Sequence, residues 1–371
     1  MHKIHLARKT LFTLILIALS INIFAKKKPP VKVEVKKTSE VIDPTSQSIT
    51  YMLPQTVIQV EIETEKIIKK AGPYYRYSQR SLNLTDVITE DSEEWIIKGV
   101  KITTKSEPNQ SQRYSIFSTG KTSANWISLN EQGILTGINN SIVNQSNPAV
   151  TNNIGSTADD NISFDDIALP EELLLKTSTA AMAQEAANMI YKIRTNRVEL
   201  LSGELENLPP DGEAYKTVLN QLDKMEKDFI SLFAGKTIST STKQTFEILP
   251  DPLSSYSNFV LCRFSKQKGI VAPMDITGTP VYLRINNLPF TELENKQTEA
   301  PKEPVSNGLY YYLPGSVIVS VLDKTTELQS TKLQLAQYGQ VISMPPSILE
   351  QENVVIEICP VTGALLNIST N

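Results

Sequence analysis

The stretch YMLPQTVIQVEIETEK, residues 51–66, has a counterpart in YYLPGSVIVSVLDKTTE, residues 311–327. Both carry a tyrosine, a Leu-Pro pair, a hydroxyl residue and then Val-Ile. In the first, Ile58, Val60 and Ile62 alternate with polar residues, the period of two expected of a β-strand with one buried face. In the second, both faces are mostly apolar, which predicts a more buried strand. The pair indicates either a distant duplication of a β domain or two strands that begin alike by chance.

Strand patterns separated by turns surround both stretches, and two helical patterns lie between them. Residues 178–202 and 211–235 carry apolar side chains at helical spacing, and ENLPPDGE interrupts the pattern between them. We therefore predict an antiparallel helical hairpin that covers a sheet. The predicted fold class is α+β, mainly antiparallel β, with two β-rich domains and the helical hairpin between them.

The N-terminal segment, 1–25, has the pattern of a secretory signal peptide. Cations precede the apolar run Leu11–Ile21, and the small residue Ala25 closes the segment. An uncleaved membrane anchor is the alternative, but the apolar segment is shorter than the ~20 residues of a spanning helix. The other predicted segments are a basic tether at 26–48, a β-rich domain at 49–138, an Asn-rich linker at 139–169, the hairpin at 170–236 and a second β-rich domain at 237–371.

Removal of the leader would limit the kinds of catalytic and metal site that the mature chain can form. It would take away His2 and His5, the two histidines of the sequence. Without imidazole, Ser-His-Asp and Cys-His nucleophilic sites, HExxH zinc sites and histidine general bases are excluded. The sequence also lacks a phosphate-binding Gly-rich loop and a dinucleotide fingerprint, so we predict no cofactor. A formal charge of -4 without a clustered basic face disfavours nucleic acid as a partner.

The segment that follows the leader is basic. We interpret Lys26–Lys37 as a solvated tether, with attraction of Lys26, Lys27 and Lys28 to acidic membrane lipids as the alternative. Two cysteines, Cys262 and Cys359, lie in strand-like runs. They could pair as a disulfide in an oxidising compartment, or both could be buried free thiols.

One aromatic cluster is a candidate binding surface. GPYYRYSQR, residues 72–80, places Tyr74, Tyr75 and Tyr77 beside Arg76. Such a flat amphipathic surface stacks on sugar rings or contacts a protein partner. The alternative is that these tyrosines pack at the edge of a β domain.

Two acidic clusters are candidate catalytic or metal sites. Carboxylates in TEDSEEW, residues 89–95, could serve a hydrolase if two of them faced each other across a cleft, but a solvated acidic turn fits them better. Acidic pairs at 159–160 and 165–166 offer oxygen ligands to calcium, yet lack the spacing and the central glycine of a calcium loop. We therefore predict no metal site and no catalytic residue. The carboxylates of the first cluster are Glu90, Asp91, Glu93 and Glu94.

The motifs together resemble a family of exported Bacteroidota proteins, domain of unknown function 4831. The resemblance rests on the first YxLP strand, GPYYRYSQRSL, VITEDSEEWIIKGVKI, MIYKIRTNRVELLSGELENLPPDGEAY, LCRFSKQKGIV, GTPVYLRI, YYYLPGSV, AQYGQVISMPP and PVTGALLNI. It implies export and transfers no catalytic residue to this sequence. We therefore predict a non-catalytic envelope protein of the periplasm or outer membrane that binds or scaffolds another envelope protein. The alternatives are a carbohydrate-binding module that uses the tyrosine cluster, or a carboxylate-based hydrolase.

Overall fold

The computed structural model describes residues 32–38, 48–119, 126–139, 162–203, 212–288, 308–351 and 354–370. The predicted signal peptide, Lys26, Lys27, Lys28 and most of the Asn-rich linker lie outside the described residues. The fold is α+β and mainly antiparallel β, as the sequence predicts.

Thirteen strands lie in the described residues, and they form three sheets. Sheet I has the order β1-β3-β2-β6, sheet II has the order β11-β10-β9-β7-β8, and sheet III has the order β13-β12-β5-β4. The strands are β1 Lys32–Lys37, β2 Ser48–Lys70, β3 Ser92–Thr119, β4 Ile127–Leu129, β5 Leu135–Ile138, β6 Lys236–Ile248, β7 Phe259–Ser265, β8 Gly269–Val271, β9 Thr279–Asn287, β10 Leu309–Asp323, β11 Thr326–Met344, β12 Val354–Ile358 and β13 Leu365–Thr370.

Two long helices account for most of the helical residues. The longer one begins after Ser178, whose hydroxyl accepts a hydrogen bond from the N–H of Ala181 at 3.2 Å, and it ends at Gly203 with φ 78°. The helices are α1 Ser78–Leu82, α2 Glu171–Leu174, α3 Thr179–Ser202, α4 Gly212–Ala234 and α5 Pro346–Leu349, and a short 3₁₀ turn spans Tyr75–Tyr77.

The two YxLP motifs occupy equivalent places in two long hairpins, β2–β3 and β10–β11. In each hairpin the pairing shifts register at the Leu-Pro pair, where the partner strand carries three residues more than the motif strand. The same irregularity at the same motif favours duplication over chance. The shifts lie between Met52 and Pro54, opposite Arg113 and Pro108, and between Leu313 and Gly315, opposite Gln340 and Leu335.

A glycine turn binds each motif in the same way. The N–H of Met52 donates to the carbonyl of Gly133 at 3.0 Å, and the N–H of Tyr312 donates to the carbonyl of Gly363 at 2.9 Å. Both glycines have a positive φ, 78° and 68°, a conformation that L side chains rarely adopt. A Cβ on Gly363 would lie 2.8 Å from the Tyr312 ring and 3.1 Å from Cδ of Pro54, so the two motifs meet at this turn.

The sheets mix the two halves of the chain, so the predicted N- and C-terminal β regions do not have separate cores. Strand β6 pairs with β2, and β12 pairs with β5. Strands of one half hydrogen-bond to the open strand edges of the other half. Chain length and hydrophobic periodicity do not show which edges pair. Core 1 contains Tyr51, Trp126, Leu309 and Val354, and core 2 contains Val60, Ile102, Val281 and Val319.

The interpretation of Lys26–Lys37 as a solvated tether is corrected for its described part. Residues 32–37 form β1, which pairs with β3 at the edge of sheet I. Val33 and Val35 on one face of this strand are buried in core 1, while the lysines alternate outward. Val33 and Val35 have the spacing of two expected of a half-buried strand, but the surrounding lysines make the segment look like a solvated tether.

The cysteines are free thiols that lie in different sheet regions rather than a disulfide. Cys262 is on β7 and packs in core 2, while Cys359 directly follows β12 of sheet III and is half-buried. Burial raises the pKa of the Cys262 thiol to about 12. A thiol with this pKa stays protonated at neutral pH and behaves as a small apolar core residue.

Helices α3 and α4 pack along each other through a charged network. Their contacts pair Arg194 with Glu226 and Arg197 with Asp223, an antiparallel arrangement, although residues 204–211 between the helices lie outside the described residues. Burial raises the pKa of Glu226, but hydrogen bonds from Arg194 and Arg197 lower it more, so its net pKa lies below the usual value.

We expect Glu226→Gln to destabilise the protein by about 2 kcal/mol at neutral pH, because two charge-assisted hydrogen bonds are lost. A lowered pKa in the folded state stabilises the protein above the usual carboxyl pKa, and that stabilisation is lost as the pH falls through the lowered value. The difference between wild type and variant should therefore shrink in acid. Urea unfolding at a series of pH values measures it.

Glu213→Gln is the matched control, because Glu213 pairs with Lys216 on an exposed face of the same helix pair. It should cost less than about 0.5 kcal/mol at any of these pH values. A Glu226→Gln effect that is constant with pH would contradict the assignment of the network.

Candidate functional site

A cleft opens where the end of sheet I meets the helices. Its volume is about 560 Å³, and it lies between the last residue of β2, the C-terminal turn of α4 and the segment 162–169. Seven of the ten lining residues are apolar or aromatic, and one lysine, one serine and one carboxylate complete the lining. The lining residues are Lys70, Pro73, Tyr74, Ser163, Phe164, Asp165, Ile167, Leu169, Leu174 and Leu232.

Two lysines hold segment 162–169 in place. Lys70 and Lys236 face each other at the end of the β2–β6 ladder. The Nζ of Lys70 donates to the carbonyl of Ile162 at 3.0 Å, and the Nζ of Lys236 donates to the carbonyl of Ser163 at 2.7 Å. Lys236 also lies over the Phe164 ring, 4.9 Å from its centroid. Like charges on opposite residues of two strands destabilise a sheet. The contacts of Lys70 and Lys236 with the two carbonyls and the Phe164 ring offset this repulsion.

A smaller cavity of about 340 Å³ lies beside the cleft and shares Lys70 with it. Asp91 and Glu93 line this cavity together, but each already has a partner. An Oδ1 of Asp91 accepts from the N–H of Ala71 at 2.8 Å, and Glu93 lies 3.2 Å from the ammonium of Lys66. These two carboxylates therefore act in the structure as a main-chain cap and an ion pair.

The outer rim of the cleft is acidic and carries exposed leucine. Leu174 lines the cleft and is 62% exposed, and its neighbour Leu175 is exposed as well. Of the nearby carboxylates, Asp165 lines the cleft. Asp166, Glu171 and Glu172 are exposed and lie close to lining residues along the chain.

Residues 47–366 match the family described as a domain of unknown function, DUF4831. The chain belongs to the DUF4831 family. Neither the curated proteins nor the solved structures gave a match. None of the helices within the described ranges of this DUF4831 chain has the length and apolar character needed to cross a membrane.

The tyrosine cluster of the DUF4831 chain does not form the flat exposed surface that was predicted. Tyr74 is 6% exposed and packs against Phe233 with ring centroids 5.6 Å apart, and this burial raises its pKa. Tyr77 packs beside the same helical core. The half-buried ring of Tyr75 lies near the guanidinium of Arg76, whose Nε donates to the Tyr75 hydroxyl at 3.0 Å.

The close approach at Gly72 explains why Tyr74 turns inward. The N–H of Tyr74 donates to the carbonyl of Leu232 at 2.9 Å, and a Cβ on Gly72 would lie 2.3 Å from that carbonyl oxygen. The chain therefore runs directly against the end of α4, and the Tyr74 ring enters the core of the helices. This turn makes Tyr74 part of the cleft wall instead of a free binding surface.

The acidic clusters have structural partners in the DUF4831 chain. Glu94 lies 3.8 Å from the ammonium of Lys69, and Asp165 accepts from the hydroxyl of Ser163 at 2.7 Å. Over the described ranges, no three His, Cys, Asp or Glu side chains come together as a metal site would require. The other acidic pair, 159–160, lies outside the described residues.

Sequence reasoning missed Lys70, Lys236 and Phe164. Phe164 lies 94 positions after Lys70 and 72 positions before Lys236, and the three residues meet because β6 returns to pair with β2. The available signal was local: a lysine ends one strand pattern, and another follows the glycine that ends α4. Only the pairing of β2 with β6 shows that the two cations lie side by side.

Proposed function

We propose that this DUF4831 protein is a non-catalytic envelope protein that binds another protein, and that it docks a basic, amphipathic segment of that partner in the cleft. The observation that carries the proposal is an open cleft of about 560 Å³, lined mainly by apolar and aromatic residues and close to exposed carboxylates. Its volume is within the range of ligand-binding pockets, about 300–1,000 Å³.

The rim of the cleft supports a polypeptide as the occupant. The apolar lining continues outward onto Leu174 and Leu175, so the surface extends beyond the volume that a small molecule would fill. Carboxylates next to an apolar surface favour a segment in which Lys or Arg flank large apolar side chains.

The location in the cell envelope is part of the same proposal. The signal-peptide pattern in 1–25 supports export, and the absence of histidine after that leader supports a binding rather than a catalytic role. The periplasm or the outer membrane would supply the partner.

The carbohydrate alternative has less support than protein binding. Sugar platforms need ring faces that are open to solvent, and Tyr74 and Tyr77 pack into the helical core. For a hydrolase, two carboxylates would have to be free to act on a substrate. Asp91 and Glu93 share a cavity, but both are engaged by neighbouring groups.

Leu174→Asp is expected to weaken binding of the partner about tenfold or more. The variant removes apolar contact at the mouth of the cleft and adds a like charge to its acidic rim. The measurement uses the full chain with a photoreactive amino acid at Leu175, irradiated in cell-envelope fractions, followed by mass spectrometry of the crosslinked peptides.

Leu253→Asp is the matched control, since Leu253 is 96% exposed in the loop between β6 and β7. It should leave crosslinking unchanged, while added salt should reduce crosslinking of the wild type by screening the rim. Crosslinked peptides should carry Lys or Arg beside apolar residues. Equal yields from wild type and Leu174→Asp, or recovery of glycan fragments alone, would defeat the proposal.

A further inference from the structure

The loop between β8 and β9, residues 272–278, presents two large apolar side chains to solvent. Met274 is 92% exposed and Ile276 is 89% exposed. The flanking residues Ala272 and Pro273 are exposed too. Single exposed apolar residues are ordinary on protein surfaces, but two on one loop tip, with apolar neighbours, form a small continuous protrusion.

Hydrogen bonds fix the shape of this loop. The guanidinium of Arg263 donates to the carbonyl of Pro273 through Nε and to the carbonyl of Gly278 through Nη1, both at 2.9 Å. Asp275 accepts from the N–H of Thr277 at 2.9 Å and from its hydroxyl at 2.6 Å. Because these hydrogen bonds already order the loop, burying Met274 and Ile276 against another surface costs little backbone conformational entropy.

The charges around the protrusion favour an anionic surface. Asp275 on the loop is an anion, and hydrogen bonds from Thr277, together with Lys268 and Arg263, lower its pKa. The positive charges of Lys268 and Arg263 offset this single negative charge. Lys268 and a second lysine, Lys266, are exposed in the β7–β8 turn. Cations near an apolar tip match the chemistry of acidic headgroups above acyl chains.

The small size of the protrusion favours a lipid surface over a protein partner. A stable protein interface covers about 800 Å² on each side, far more than two side chains supply. Shallow insertion into a bilayer needs only an apolar tip and nearby cations. We propose that loop 272–278 is a membrane-contact element that inserts Met274 and Ile276 into an anionic lipid surface, on a part of the molecule separate from the cleft.

Vesicle binding by the full chain tests this inference. Wild type should co-sediment with phosphatidylcholine vesicles that contain phosphatidylglycerol, and the double variant Met274→Ser, Ile276→Ser should bind at least tenfold more weakly. Lys266→Gln with Lys268→Gln should also weaken binding. Leu253→Ser, the matched change on another loop, should bind as wild type does.

A second readout places the loop in the membrane directly. The emission of an Ile276→Trp variant should shift to the blue on adding the vesicles, while that of Leu253→Trp should not. Wild-type-like binding by the double serine variant would overturn the inference and would place the contact elsewhere, for example on Lys26–Lys37. Failure of the wild type to bind any vesicle, or equal binding to pure phosphatidylcholine, would overturn it as well.

Discussion

We expect Gly339→Ala to lower the free energy of unfolding by more than about 4 kcal/mol. Few substitutions cost this much, and one that forces a side chain into neighbouring backbone atoms is among them. Gly339 lies on β11 where the second hairpin shifts register. A Cβ at this position would be 1.8 Å from the carbonyl oxygen of Leu313 and 2.7 Å from Cα of Pro314. Both neighbours are backbone atoms, so the hairpin itself would have to move, and Tyr312 with it. Urea unfolding of the purified variant measures the loss.

Alanine variants of two other glycines provide a graded comparison, which is useful even if Gly339→Ala fails to fold. Gly99 also lies in a long strand, and a Cβ there meets nothing within 4 Å, so Gly99→Ala should be neutral or slightly stabilising. Gly133→Ala should fall between, at about 1–2 kcal/mol, because its φ is 78° but its nearest contact is the flexible end of Met52 at 3.3 Å. Equal stability of the Gly99 and Gly339 variants would contradict the close approach of Gly339 to the backbone of Leu313 and Pro314.

Thr56→Val should cost about 2–4 kcal/mol, although the two side chains have nearly the same shape. The hydroxyl of Thr56 is fully buried, donates to the carbonyl of Val361 at 2.9 Å and accepts from the N–H of Ala336 at 3.1 Å. Valine would leave both backbone groups buried without a partner, and each such group costs about 1–3 kcal/mol.

Thr56 also marks the point where the two hairpins bind each other. Its own N–H and carbonyl are satisfied by the side-chain amide of Gln337, at 3.0 Å and 2.8 Å. Thr237→Val, on the exposed edge strand β6, is the matched control and should change stability by less than about 0.5 kcal/mol. Thermal and urea unfolding compare the two variants. A Thr56→Val protein as stable as the control would mean that this contact is not a buried junction in solution.

Local patterns were enough to predict most of the secondary structure. The period of two in Ile58, Val60 and Ile62 predicted β2, and the apolar stripes at 178–202 and 211–235 predicted α3 and α4 within a few residues. The valines of β1 were missed because the surrounding lysines dominate that segment. The burial of Tyr74 was not predicted, because composition does not show which way the chain turns at Gly72.

The sequence alone therefore determined the class of the fold, the positions of its long strands and helices, and the family. Each of these depends on residue type or on spacing within one segment. Only the tertiary structure decided that the two YxLP motifs meet, that Lys70 and Lys236 bind one segment, and that a cleft lies beside them. These features depend on which strand edges pair across 150 or more residues of chain, and the free energy of such pairing comes from hydrogen bonds and burial that no single segment contains.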